Sequence, residues 1–216
     1  MIIPAGAVRL SGDLVVPTEA RGLVLFAHGS GSSRHSPRNQ SVARVLQDAG
    51  VATLLFDLLT LEEEESERYT GRLRFDIALL AQRLILATRW VARQQALSDL
   101  NIGFFGSSTG AAAALVAAAE LGEKVNSVVS RGGRPDLAGP VLDRVRAATL
   151  LIVGGEDRAV IELNKEAYAL LRCEKMLKII PGATHLFEEP GALDRVARLA
   201  ADWFVNHLRL LEPHRL

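Results

Sequence analysis

Six short apolar runs punctuate the chain: Leu23 to Ala27, Ala52 to Phe56, Ile102 to Phe105, Ser127 to Ser130, Thr149 to Val153 and Met176 to Ile180. Each is nearly continuous rather than alternating, which is the pattern of strands covered on both faces. Between them lie stretches long enough for a crossover helix: Asn39 to Asp48, Leu73 to Gln95, Thr109 to Leu121, Leu137 to Val145 and Ile161 to Leu171, with Leu193 to Leu208 after the last run. Strands separated by crossovers of that length return parallel. Two earlier segments, Ala7 to Leu10 and Asp13 to Val16, join through Ser11-Gly12 and read as an antiparallel hairpin. The expectation is an eight-stranded, mostly parallel sheet with helices on both faces.

The chain has 216 residues, of which 49% are hydrophobic, so one α/β domain over residues 1–216 can bury roughly 70% of its unfolded surface. Lys plus Arg and Asp plus Glu both number 25, which gives nothing to recruit nucleic acid or an anionic membrane. The single cysteine, Cys173, cannot form an internal disulfide. Met1-Ile-Ile-Pro-Ala-Gly lacks a basic and then apolar leader, and the longest strictly apolar run, Ala111 to Ala119, is far short of a membrane span. A cytoplasmic protein is expected, acting on a small molecule. The acidic segment Glu62 to Glu65 with Glu67 reads as a solvated loop, because it lacks interleaved His, Asp or Gly at ligand spacing. No metal site is expected there, and its neighbours Leu58, Leu59 and Leu61 suggest the mouth of a pocket.

The pentapeptide Gly106-Ser107-Ser108-Thr109-Gly110 falls between the run ending at Phe105 and the Ala-rich stretch Ala111 to Ala119. That is the strand-to-helix setting of a nucleophile elbow, where the central side chain is lifted clear on strained backbone and the flanking glycines let strand and helix pass closely. Ser108 is the candidate nucleophile. A serine needs an imidazole to take its proton and a carboxylate to hold that imidazole. Gly154-Gly155-Glu156-Asp157 follows the seventh expected strand, Thr149 to Val153, and Pro181-Gly182-Ala183-Thr184-His185 follows the eighth, Met176 to Ile180, so Asp157 and His185 fall on loops at the carboxyl edge of the sheet, where chemistry gathers in such folds. Glu156 is the alternative acid. Of the other histidines, His35 lies in a polar loop, and His207 and His214 lie in or after the last helix.

Ala27-His28-Gly29-Ser30-Gly31 follows the third strand. A tetrahedral intermediate needs two N–H donors, one from Thr109 after the nucleophile and one from this loop, at Ser30 or, in second place, Gly31. His28 is read as a brace for the loop rather than as a reactant. No Lys follows at the spacing of a phosphate-binding loop.

With Ala27-His28-Gly29-Ser30-Gly31, Gly106-x-Ser108-x-Gly110, Gly155-x-Asp157 and Gly182-x-x-His185 in place, the chain resembles the α/β-hydrolase superfamily over essentially its whole length, and most of all the compact bacterial members grouped with dienelactone hydrolases. The resemblance implies the three-layer α/β-hydrolase fold and an acyl-enzyme on Ser108, with His185 as base and then acid, Asp157 orienting it, and no cofactor. Dienelactone hydrolases carry Cys at the elbow where this chain has Ser108, so the family name serves here as a fold label. Cys173 lies at a helix end without an elbow and is no substitute.

The short connection from Ser130 to Leu137 leaves no residues for a large lid. Arg34, Arg131 and Arg134, together with Arg72 and Arg74, are candidates to clamp a substrate carboxylate, set against the ordinary alternative of solvated surface arginines. The functional expectation is a serine hydrolase acting on a small carboxylic ester or lactone. The same triad would serve an acyltransferase, thioesterase or peptidase. A non-catalytic binding module is the reading from another class, and it would normally have lost a triad member. The last helix and the sheet edge offer surfaces for a homodimer.

Overall fold

The computed structural model describes residues 1–208; His214 lies outside them. Eight strands, β1 (Ile2–Ala5), β2 (Val8–Val15), β3 (Leu23–Ala27), β4 (Ala52–Phe56), β5 (Ile102–Ser107), β6 (Ser127–Arg131), β7 (Ala148–Gly154) and β8 (Lys175–Ile180), form one sheet in the order β1-β2-β4-β3-β5-β6-β7-β8. Pairing is parallel from β4 through β3 and β5 to β8, and antiparallel for β1 with β2 and β2 with β4.

The helices are α1 (Pro37–Asp48), α2 (Leu61–Thr70), α3 (Ile77–Val91), α4 (Thr109–Leu121), α5 (Arg158–Leu170) and α6 (Ala192–His207), with a long 3-10 segment at Pro135–Arg144. None of the described helices is long and apolar enough to cross a membrane. Successive strand residues feed opposite layers. Leu25, Phe104, Val128 and Leu151 pack with α3 and α4, while Phe26, Phe105, Val129 and Ile152 pack with α1 and α6. Phe104 and Phe105 are both fully buried although they point to opposite layers, which is why the central strands read as unbroken apolar runs.

Four expectations need correction. The antiparallel pair is not Ala7 to Leu10 against Asp13 to Val16: those segments are one strand, β2, and its partner is Ile2–Ala5, turning through Gly6 at φ 70°. Pro4 hid that strand, since Pro is tolerated only at sheet edges. Gly12 serves close packing rather than a turn, because a Cβ there would lie 2.9 Å from Ile3 Cδ1 and 3.1 Å from Phe56 Cβ. Leu73 to Gln95 is not one helix: a 3-10 turn at Leu73–Phe75 precedes α3, which Asp76 caps by accepting from the Leu79 N–H at 2.9 Å. The stretch around Leu137 to Val145 is 3-10 rather than α-helical and has Pro140 inside it.

The fourth correction is the largest. The acidic segment is helix α2, not a solvated loop. Thr60 and Glu63 form a capping box, with Glu63 N–H donating to Thr60 Oγ1 at 3.2 Å and Thr60 N–H to Glu63 Oε2 at 2.8 Å. Glu62, Glu63 and Glu64 occupy the first turn, where carboxylates complement the helix dipole. Gly71 closes the helix in the left-handed conformation at φ 62°. The helix therefore carries no apolar stripe to announce it.

Candidate active site

Ser108 sits between β5 and α4 at φ 51°, ψ −123°. Among the described residues it is one of three non-glycine residues with positive φ; Phe187, two residues after His185, is another at φ 57°. Strain of this kind costs of order 1–3 kcal/mol and survives only where the surroundings enforce it. They do so through glycine. A Cβ on Gly110 would collide with the carbonyl oxygens of Ala27 and His28, and one on Gly106 with the backbone of Ala111. Strand and helix are thus pressed together, and α4 can lie so close because Ala111 to Leu115 are all fully buried and mostly alanine.

Asp157 and His185 are joined by the stitching of the β7 and β8 loops. Gly155 N–H donates to Ile180 O at 2.8 Å and Glu156 N–H to Ala183 O at 2.9 Å, and Gly154 lies so near the Ala183 and Thr184 carbonyls that no Cβ fits. The two side chains then meet, with His185 Nδ1 2.6 Å from Asp157 Oδ2. Asp157 stands at the N-cap position of α5 but makes no side-chain cap bond. Its carboxylate is spent on the imidazole. Glu156 is exposed and turned to solvent. With Nδ1–H given to Asp157, Nε2 holds the free lone pair.

Ser108 and His185 reach the same edge through the loop after β6. Arg134 N–H donates to Ser108 O at 3.1 Å, while Gly132 lies against His185, its Cβ position 3.1 Å from His185 O. From α5, buried Asn164 holds this loop by donating Nδ2–H to Gly133 O at 3.0 Å. No hydrogen bond joins Ser108 to His185 among the described residues, a common state for a serine hydroxyl without substrate.

On the other side, the Ser30 N–H donates to Thr109 Oγ1 at 3.1 Å. The two residues expected to furnish the oxyanion donors are therefore neighbours, and the Thr109 hydroxyl occupies the Ser30 donor. His28 is buried, with Nδ1 3.0 Å from Gly29 O and Nε2 accepting from the Leu58 N–H at 3.0 Å. Burial pushes its pKa below the usual histidine value. It ties the loop after β3 to the segment after β4, as a brace does.

The arginines separate. Arg34 donates its backbone N–H and a guanidinium N–H to Asp57 and lies 3.4 Å from Asp13. Arg134 grips Asp136 with Nε and Nη2 at 2.8 and 2.7 Å, and that hydrogen bonding raises its pKa. Both charges are answered within the protein, so neither guanidinium is free as a clamp. Arg131 is 7% exposed, and its Nε and Nη1 have no hydrogen-bond partner. Arg74, bonded to Glu64 at 2.7 Å, reaches the loop after β3: it lies over Gly31 and lines a cleft with His28, Ser30 and Leu59. A roomier cavity of about 490 Å³, lined by Thr88, Arg93, Leu97 and Lys124 among others, lies near the start of β5, away from this constellation.

No protein-family model matches the chain. Two Mycobacterium tuberculosis proteins, from strains CDC 1551 / Oshkosh and ATCC 25618 / H37Rv and each named "Putative phosphoribosyl transferase", are 59% identical over 206 residues, or 95% of this chain. The chain spans only 46% of the length of these curated relatives. The crystal structure of dienelactone hydrolase from Anabaena variabilis is 59% identical, superposes with a TM-score of 0.96 and is covered to 97%, as is this chain. Est1E from Butyrivibrio proteoclasticus shares the fold at 16% identity, with a TM-score of 0.81 over 96% of this chain and 98% of its own. The chain has the α/β-hydrolase fold and belongs to the dienelactone hydrolase family.

Proposed function

We propose that the protein is a serine hydrolase that cleaves a small carboxylic ester or lactone. One observation carries the reading: an elbow serine held at positive φ shares its sheet edge with an imidazole whose Nδ1 is fixed by a carboxylate at 2.6 Å. In this mechanism His185 Nε2 takes the Ser108 proton as Oγ attacks the ester carbonyl, and Asp157 holds the imidazolium that forms. The oxyanion is received by the backbone N–H of Thr109, at the positive end of α4, and by that of Ser30. The Thr109 hydroxyl keeps the Ser30 N–H in place until the oxyanion shares it. The leaving alcohol takes its proton from His185, and water then hydrolyses the acyl-Ser108 by the same steps. Acyl transfer, thioester cleavage and peptide cleavage would use the same groups and differ in acceptor or leaving group.

The name of the mycobacterial relatives belongs to proteins more than twice as long as the matched segment. We assign ester chemistry to the shared segment, since Ser108, His185 and Asp157 are arranged for acyl transfer and not for displacement at a ribose carbon. The test is hydrolysis of p-nitrophenyl esters from acetate to octanoate by wild type, Ser108→Ala and His185→Ala. Each substitution should lower kcat by about a millionfold. Undiminished turnover in Ser108→Ala would refute the nucleophile.

A further inference from the structure

Arg131 is the last residue of β6 and pairs in register with Ile152. Ile152 and Val129 both pack in the layer of α1 and α6, so by strand alternation the Arg131 side chain leaves the sheet on that side. It is 7% exposed, with Nε and Nη1 closed off from solvent and unpartnered. Arg38, in the first turn of α1, acts on Arg131 electrostatically and reaches across to Glu188, three residues past His185, at 3.0 Å. Burial, with Arg38 adding to it, lowers the Arg131 pKa to about 10, which leaves it charged at neutral pH. An uncompensated buried cation beside a second cation is costly, and proteins rarely keep one without an anion to meet it.

We propose that Arg131 and Arg38 form a binding site for a small free oxyanion of the phosphate class, between α1 and the loop that carries His185. A guanidinium edge presents parallel N–H donors that match two oxygens of such an anion. Two guanidiniums, one shielded from water and only one with a carboxylate partner, suit a compact, multiply charged anion. The site adjoins the proposed catalytic edge, since Arg131 O accepts the Ser108 N–H and Arg38 reaches Glu188 in the loop that carries His185, but the Arg131 side chain leaves the sheet toward the α1 layer.

The test is calorimetric titration of inorganic phosphate into the full chain at neutral pH and constant ionic strength. Wild type and Ser108→Ala should both bind one phosphate saturably. Arg38→Gln should weaken binding about tenfold or more, and Arg131→Met should abolish it. Thermal melting supplies a second readout. Wild type should gain about 5 °C or more at a hundredfold excess over Kd. Arg131→Met, which replaces an unmatched charge by an apolar side chain, should melt no lower than wild type without phosphate and gain nothing from it. If Arg131→Met fails to fold, Arg38→Gln, altered at a partly exposed residue, still reports. Absence of saturable phosphate binding overturns the proposal, as does binding that survives both substitutions. The proposal is also overturned if phosphate does not bind while Arg38→Gln lowers kcat/KM for a succinate half-ester and not for a neutral ester, since the anion would then be the substrate's own.

Discussion

The elbow and helix α2 flank the same loop after β3, yet they are held by opposite means. At the elbow the constraint is steric and local: Gly106 and Gly110 admit no Cβ, Ser108 is forced to φ 51°, and small residues bring α4 onto the sheet. In α2 the constraint is electrostatic and partly distant. Glu63 pairs with Arg83 twenty residues on, Glu64 pairs with Arg74, and buried Glu67 accepts the N–H groups of Arg72 and Arg74. Backbone strain leaves a glycine signature in the sequence. A helix assembled from caps and ion pairs looks, residue by residue, like a charged loop.

The comparison breaks most decisively at Gly110. Gly110→Ala would drive a Cβ into two carbonyl oxygens that belong to another strand end, so the variant is expected not to reach the native fold, as read by circular dichroism and the absence of a cooperative melt. Native melting of Gly110→Ala would show that the close approach is not required. Next in size is Asp157→Asn, which keeps the shape of the side chain but disturbs the His185 tautomer; kcat should fall about ten-thousandfold, with Glu156→Gln near wild type. The reverse order would move the acid to Glu156.

The brace comes third. The pKa of His28 is lowered by burial, so below about pH 6.5 the unfolded chain binds a proton that the folded ring resists. The stability contributed by neutral His28 is therefore complete above that pH and lost progressively as pH falls from there through the lower pKa of the folded ring. Melting temperature of wild type should decline on acidification more steeply than that of His28→Gln, which should be less stable at pH 8; parallel profiles would deny the brace its role. Smaller still is Glu63→Gln. It keeps a capping residue but leaves Arg83, whose side chain is 9% exposed, without its partner, for a loss of about 1–2 kcal/mol, between exposed and fully buried pairs. An unchanged denaturant midpoint would make the pair incidental. Arg34→Gln should leave the preference between acidic and neutral esters unaltered, because Asp57 and Asp13 already answer that charge.

What the sequence showed follows the same division. The central strands, the elbow and the positions of Asp157 and His185 were legible because burial on both faces and strand-end placement each impose a residue pattern. The edge strand β1 was missed because it is short and holds Pro4, and Gly12 imitated a turn where it relieves crowding against Ile3 and Phe56. The arginines were legible as charges but not as partners: whether Arg34 meets a substrate or Asp57 depends on contacts across 23 residues, to which periodicity is blind. Asn164, which steadies the loop between Ser108 and His185, sits on a helix face that reads as ordinary amphipathic sequence. Its burial and its bond to Gly133 O emerge only in the folded chain.

The central claim is that Ser108 is a nucleophile activated by His185. Intact-mass measurement of wild type, Ser108→Ala and His185→Ala after exposure to a fluorophosphonate tests it most directly. The account predicts one adduct on wild type, mapped to the peptide containing Ser108, none on Ser108→Ala and greatly slowed labelling of His185→Ala. An unlabelled wild type, or an adduct that persists in Ser108→Ala, would contradict it.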